Sequence, residues 1–461
     1  VNSLTIVPNS SVLTKNAVSY YAVSLIGGNE FEINSNHNID INLNIEEGDN
    51  IQKAPDTIAA FNIGNSTNAK KDSKVSVSSL NGDISLSANN SFDSGSTYAM
   101  RSINAKEISF SASNISFEAK GNNATVALAL KNSADASSEL YSANFSAQNN
   151  LSFIANSTFS SESNLTRNST AVEASYVNAD FFGNSLQFEA VANKGKATAL
   201  LMDGVTALFA KDRENYANDI KLIADGEQTS ALSATNSNID FNANTLTVKS
   251  SGKSNVKGIE LKGGELNVNA TSLISFDLDN SSEGSSSTGI ISTDNSEISV
   301  RTDDNITFNI STQTGSIDAL KAGITGSSGK IDLTAGKSIV ISLAKTEERG
   351  NGQNVYAASA DYNSEINLNA KENILIDKTA ILQPTSNGTY DTMTFRAYDH
   401  SQIDLVAGGY LSVNPSSGIN ATDEIFRAQS GSTINAFAYG SNDDGYGIIG
   451  ISTGAMSKGI L

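Results

Sequence analysis

The chain has no cysteine and no tryptophan, and its 461 residues include only 4 prolines and 2 histidines. Without cysteine there is no disulfide scaffold and no thiolate metal site, though this says little about compartment. Positive charge is scarce as well: 30 Lys and Arg against 49 Asp and Glu leave a formal net charge of −19. Nucleic acid, which needs a basic footprint, is therefore not an expected partner. No apolar run approaches the roughly 18 residues that a membrane-spanning helix requires. The opening stretch, VNSLTIVPNSS, has neither the charged nor the apolar region of a secretory signal. That fits a mature fragment or a protein without such a signal.

What is present is a repeat. From near residue 17 to about residue 440 a phrase of three short strands recurs with a period of roughly thirty-odd residues. EISFSASN-ISFEA (107–119), NIDFNAN-TLTV (238–248), SEINLNAKEN-ILI (364–376) and SQIDLVAGG-YLSV (401–413) are the second and third strands of four such phrases. The opening strands are rich in alanine, as in TIAAFNI (57–63), TVALALK (125–131) and VYAASAD (355–361). Alternation puts small and aliphatic side chains on one face and polar groups on the other, the pattern of a half-buried strand. Small inward residues in the first strand, opposite larger ones in the second and third, suit a narrow interior packed in layers.

Strands alone at this period define a solenoid, in which each repeat buries its apolar face only on its neighbours. The predicted fold is all-β: a right-handed parallel β-helix of about thirteen coils of three strands, a rod of roughly 60 Å at about 4.8 Å per coil. Residues 1–461 read as a single domain, with regular coils over 17–440 and a C-terminal end or cap over 441–461. A β-propeller would show hairpins in each blade and Trp-Asp endings, which are absent. YANDIKLIADG (216–226) has some helical character and reads better as a third strand.

The turn between second and third strands carries Asn89, Asn114, Asn149, Asn184, Asn244, Asn305 and Asn373. These are expected to adopt a left-handed turn conformation and to stack coil on coil. Connections from a third strand to the next first strand are long and irregular, over 45–56, 157–169, 279–287, 345–353 and 378–391. Gathered at one corner, they would wall a binding surface.

In the second strand one outward residue sits between two inward apolar ones. From coil to coil it reads Ser85, Ser109, Asn144, Asp180, Asp240, Asn267, Ser299, Asp332, Asn367, Asp404 and Asn435. Asp and Asn are disfavoured in strands, so their return at one register departs from propensity. A second row appears where the first strand turns: Asp203, Asn236, Lys262, Asp294, Asp361 and Asp399. Either the rows offer donors and acceptors to an extended, repetitive partner, or they are a solvated face that blocks edge association.

No catalytic set emerges. FDSGS (92–96) echoes the GDSGS of trypsin-like proteases, but Phe92 replaces the glycine. His37 is the single upstream histidine and leaves no room for a two-barrel protease domain before Ser94. Polysaccharide-cleaving β-helices need clustered carboxylates, or Ca²⁺ with an Arg or Lys base, whereas Asp240, Asp332 and Asp404 are spread over separate coils. His400 reads as a turn residue. The acidic nonapeptide of calcium-binding β-helices is absent, and NDDG (442–445) does not replace it. No catalytic residue, metal or cofactor is assigned. Tyr141, Tyr216, Tyr362, Tyr390 and Tyr446 read as exposed aromatics near turns.

AYDHSQIDLVAGGYLSV (397–413), DYNSEINLNAKENILI (361–376) and AQSGSTINAFAYG (428–440) resemble, in repeat style and composition, the AIDA-type (UpaB-like) passenger domains of type V autotransporter adhesins. The resemblance implies a signal peptide before this segment and the chain's own translocating β-barrel after it, neither of which is read here. It also implies display on a Gram-negative outer membrane, or release from it. Implied partners are extracellular-matrix proteins such as fibronectin, glycosaminoglycans, or copies of the same chain in aggregation and biofilm. It carries no residue over.

Candidate ligand-binding residues therefore come from register alone: Asn144, Asp180, Asp240, Asn267, Asp332, Asn367 and Asp404, with Asp203, Lys262, Asp294, Arg301, Asp361 and Asp399. The expected function is that of a non-enzymatic surface adhesin, with self-association as the alternative and polysaccharide cleavage as a lesser one. A sulfated polymer would need Lys262, Arg301 and Lys330 to offset the net negative charge.

Overall fold

The computed structural model describes residues 1–7, 19–26, 30–46, 55–64, 73–93, 95–133, 141–157, 167–281, 285–313, 315–324, 326–345, 354–380, 390–414, 421–440 and 449–451. All regular structure in these residues is β; none is helical. Internal contacts divide the chain into two compact units, 1–227 with 231–243 and 228–230 with 244–461. Each unit is a parallel β-solenoid in which a strand pairs with the strand three places further along the chain. YANDIKLIADG is extended, as expected, within the long run Ala217–Ala270.

In unit 1 the second strands Glu107–Ala112, Tyr141–Ala147, Val177–Phe182 and Thr206–Ala210 stack residue on residue, all parallel. Their inward column is aromatic: Phe110, Phe145, Phe181 and Phe209 lie nearly face to face at 5.6, 5.5 and 4.7 Å. The third strands Ile115–Lys120, Asn150–Ser157 and Ser185–Ala192 supply a facing column of Phe117, Phe153 and Phe188. The two columns meet edge to face, as Phe181 and Phe188 do at 5.8 Å and 89°. Stacking within a column and edge contact between columns are both favoured ring arrangements. All these rings are wholly buried.

Unit 2 fills the same interior mainly with aliphatic groups. Its second-strand column runs Val268, Val300, Leu333, Leu368 and Leu405. Its third-strand column holds one aromatic pair, Phe276 on Phe308 at 4.5 Å, followed by Ile341 and Ile376.

The first strands depart from the expected half-buried alternation. Thr57–Ile63, Thr125–Lys131 and Ser287–Thr293 are buried at nearly every position. Their pairing omits one residue per strand: Ala60, Ala99, Ala127, Ala171 and Ala199 in unit 1, and Gly258, Gly289, Ala319 and Ala357 in unit 2. An omitted residue shifts the alternation by one, as a bulge does, and turns the strand through a corner. Each of these corner residues is Ala or Gly, and at Gly258 even a Cβ would stand 2.5 Å from the Gly289 carbonyl oxygen. Alanine in these strands thus marks a corner and not only a narrow interior.

The turn chemistry also differs from expectation. Positive φ falls between first and second strands, at Asn104, Tyr176, Asn236, Asp294, Tyr362 and Asp399. The asparagines of the next turn stack without it. Asn305 Oδ1 accepts Ser338 N–H at 3.0 Å in the following coil, and Asn373 Oδ1 accepts Tyr410 N–H at 3.0 Å. Asn89 lies on a third strand, donating to Asn44 at 2.8 Å. Tyr141, expected at the surface, is buried, whereas Tyr216 is exposed. Most of the long connections, together with Ser94, NDDG, Tyr446 and the Tyr390 side chain, lie outside the described residues.

Replacing Phe181 with alanine would open a gap in the second-strand column and remove its edge contacts to Phe153 and Phe188 in the other. Phe181→Ala should destabilise unit 1 by about 3–5 kcal/mol in denaturant unfolding, whereas Phe181→Leu, which refills most of the volume, should lose well under half of that.

Candidate functional site

In unit 2 the pairing register places Asn267, Ser299, Asp332, Asn367, Asp404 and Asn435 in one outer column, each beside the next. The column is bonded to itself. Asn367 Nδ2 donates to Asp332 Oδ1 at 2.6 Å, and Asn435 Nδ2 donates to Asp404 Oδ1 at 2.8 Å. Flanking side chains add further bonds. Gln402 Nε2 donates to Asp404 Oδ2 at 2.5 Å, and Asn267 Nδ2 to Glu265 Oε1 at 3.0 Å. Lys330 stands 3.0 Å from both Glu297 and Asp332, and its hydrogen bonds to Asp332 and Glu297 raise its pKa. Arg301 is exposed on the same face, two residues beyond Ser299 and beside Thr334.

Unit 1 carries the column as Ser76, Ser109, Asn144, Asp180, Leu208 and Asp240. Ser85, expected here, belongs instead to the third strand Ile84–Asn90, between Asp40 and Ser116. Leu208 interrupts the polar run. The turn after it carries Arg213, whose Nη2 reaches back to Asp180 Oδ2 at 2.8 Å. Asp212 shapes that turn by accepting the Glu214 and Asn215 N–H groups at 2.9 Å, and these bonds lower its pKa. The ladder is therefore continuous in unit 2 and broken in unit 1.

The expected second row occupies two registers, not one. Asp203, Lys262 and Asp361 end their first strands, whereas Asn236, Asp294 and Asp399 sit one residue further on, in the left-handed turn. Most of its charges are already engaged. Lys262 Nζ lies 3.2 Å from Glu260, Asp361 Oδ2 lies 3.0 Å from Arg396, and Asp294 Oδ1 accepts Ser327 Oγ–H at 2.7 Å. Asp399 Oδ1 stands 3.1 Å from Nδ1 of His400, an exposed residue at positive φ, as a turn residue should be.

On the first-strand face of unit 2 the corner gathers a buried polar cluster. Asp318 Oδ1 accepts Ser359 Oγ–H at 3.1 Å, Tyr356 is the strand neighbour of Asp318, and Arg396 that of Ser359. Arg396 pairs with Asp361 and lies over the Tyr398 ring at 5.3 Å. Burial pushes the Asp318 carboxyl pKa upward, against the pull of Lys321, Ser359 and Arg396 and with the help of Asp361. Burial likewise pushes the Tyr356 hydroxyl up to about 12.

A groove of about 400 Å³ on the outer face of the third strands of unit 2 has no counterpart in the expected sites. Two rows line it, Lys249, Asp277, Asn309 and Ser342, and Ser251, Asp279, Ser311 and Ala344. Asn309 Nδ2 donates to Asp277 Oδ1 at 2.9 Å, and Ser311 Oγ donates to Asp279 Oδ1 at 2.5 Å. The signal was the same as for the ladder, Asp and Asn at alternate strand positions in FDLDN (276–280) and FNIST (308–312).

Among the described residues no three His, Asp or Glu side chains are placed to hold a metal. No protein family, curated protein or solved structure matches the chain.

Asp318 gives unit 2 a pH dependence of definite sign. Its folded pKa lies above the unfolded one, so the stability it contributes is fully present below the unfolded value and is lost as pH rises toward and through the folded one. Asp318→Asn, which keeps the shape and discards the charge, should raise stability at pH 7 and flatten this slope in unfolding curves taken from pH 7 down to about 4.

Proposed function

We propose that this chain is a non-enzymatic adhesin of a bacterial cell surface, the passenger of an AIDA-type autotransporter, and that it binds an extended host ligand along the second-strand face. The observation that supports this reading is the continuous outer column from Asn267 to Asn435 in unit 2. Evenly spaced acids and amides suit a partner that repeats its own polar groups. Of the three cations needed to offset a sulfated polymer, Lys262 and Lys330 are already paired with carboxylates, which leaves the exposed Arg301. That favours a matrix protein such as fibronectin over a glycosaminoglycan. The winding is inferred to be right-handed, as crossovers between parallel strands almost always are, with about thirteen coils if each three-strand phrase counts as one.

Self-association is the second reading. Asp332, Asn367, Asp404 and Asn435 alternate acceptor and donor, so two copies can present complementary rows to one another.

Replacing Asp332 and Asp404 of the unit 2 column together with alanine should weaken adhesion to immobilised matrix protein at least several-fold while circular dichroism stays unchanged. Undiminished adhesion would reject the ladder as the contact surface. In sedimentation, a strict monomer at high concentration would exclude the self-associating alternative.

A further inference from the structure

We infer that the third-strand groove of unit 2 is a second binding site, on a different face from the ladder, and that its ligand is a linear neutral glycan. The groove is lined mostly by short outer side chains. Asp, Asn, Ser and Ala, with Lys249 at one end, occupy the two outer positions that in the coils 115–192 of unit 1 carry Glu118, Ile154 and Glu189 in one row and Lys120, Asn156 and Val191 in the other.

The class of ligand follows from what the groove offers. Parallel pairing on both sides commits the backbone N–H and C=O groups of these strands to neighbouring coils, so no peptide can add to them as a further strand. Recognition falls to the side chains, and these recur at the coil spacing of about 4.8 Å. One pyranose unit advances an extended β-1,4-linked chain by nearly that distance, so successive sugars keep step with successive coils. An extended peptide, at about 3.3 Å per residue, falls out of step. Carboxylates and amides are suited to pairs of sugar hydroxyls, and Asp277 and Asp279 would repel a sulfated or uronic acid chain.

Isothermal titration of the full chain with cellotetraose, chitotetraose, xylotetraose and β-1,4-mannotetraose tests this. At least one should bind, with affinity rising from the disaccharide to the tetrasaccharide and levelling beyond the roughly four coils that line the groove. The pair Asp277→Ala and Asp279→Ala should weaken that binding at least tenfold. Ala344→Tyr, which fills the groove and leaves both carboxylates in place, should do the same. Asp332→Ala with Asp404→Ala should bind the glycan like the unaltered chain. Binding by none of the four, affinity independent of length, or groove variants that bind normally would overturn the assignment. Loss only in the ladder variant would also overturn it, moving the glycan to the ladder and leaving the adhesin reading intact.

Discussion

Parallel, in-register pairing of each strand with its equivalent in the next coil is the constraint from which the rest of each unit follows. It commits backbone hydrogen bonds to the stacking direction and sets like beside like at about 4.8 Å. Apolar residues gain from this repetition. Phe110, Phe145, Phe181 and Phe209 become a stack. Charged residues do not. Two carboxylates one coil apart repel by roughly 0.9 kcal/mol even in bulk water. A hydrogen bond from an amide to a carboxylate across the same gap instead contributes about 1.5–3 kcal/mol. Interposing Asn367 between Asp332 and Asp404, and following Asp404 with Asn435, therefore turns a repulsive column into a cohesive one.

The small-residue corner is the second consequence. Where Ala319 and Ala357 drop out of the pairing, outward residues three apart come to face one another. This is why Asp318, on one side of the corner, meets Ser359 of the next coil on the other side. The same corner in unit 1 shelters the apolar cluster of Ala59, Tyr98 and Val126, with Arg101 over the Tyr98 ring at 5.6 Å and no buried carboxyl in the cluster. Unit 2 replaces it with a carboxyl that burial holds toward its neutral form, beside the Asp361–Arg396 pair. A corner built by small residues is thus filled in two chemically different ways.

These relations explain what could be read from the sequence and what could not. Second and third strands mostly alternate, so their inward columns and the outer runs from Ser109 to Asp240 in unit 1 and from Asn267 to Asn435 in unit 2 were visible in the letters, apart from one rung. Leu208 was missed because ALFA (207–210) reads as apolar throughout and hides which residue points outward. Ser85 was misplaced because ISLSA (84–88) alternates just as a second strand does, and only pairing with Asp40 and Ser116 assigns it to the third. The corner strands defeated period-two reasoning, since one residue per strand lies out of phase. Asparagine serves both left-handed turns and side-chain ladders, and composition alone does not tell Asn104 at positive φ from Asn305 in its ladder. The groove stayed hidden because it depends on three neighbouring coils, with Asp277, Asn309 and Ser342 in one row and Asp279, Ser311 and Ala344 in the other, being short together.

The same constraint governs how either outer face can bind. With the backbone committed along the stack, a ligand gains no main-chain hydrogen bonds and must compete for side chains that already bond one another. On the ladder this competition is severe, because Asp404 accepts from both Asn435 and Gln402 and Asp332 from both Asn367 and Lys330. A partner there has to replace two bonds for each carboxylate it engages, which favours a large interface over a short oligomer. In the groove each aspartate accepts one cross-coil bond, Asp277 from Asn309 and Asp279 from Ser311. A small polyol can add to those bonds without breaking them, while the concave surface removes part of its apolar area from water. The two faces are therefore suited to ligands of different size, the ladder to a macromolecule and the groove to a chain of a few sugars.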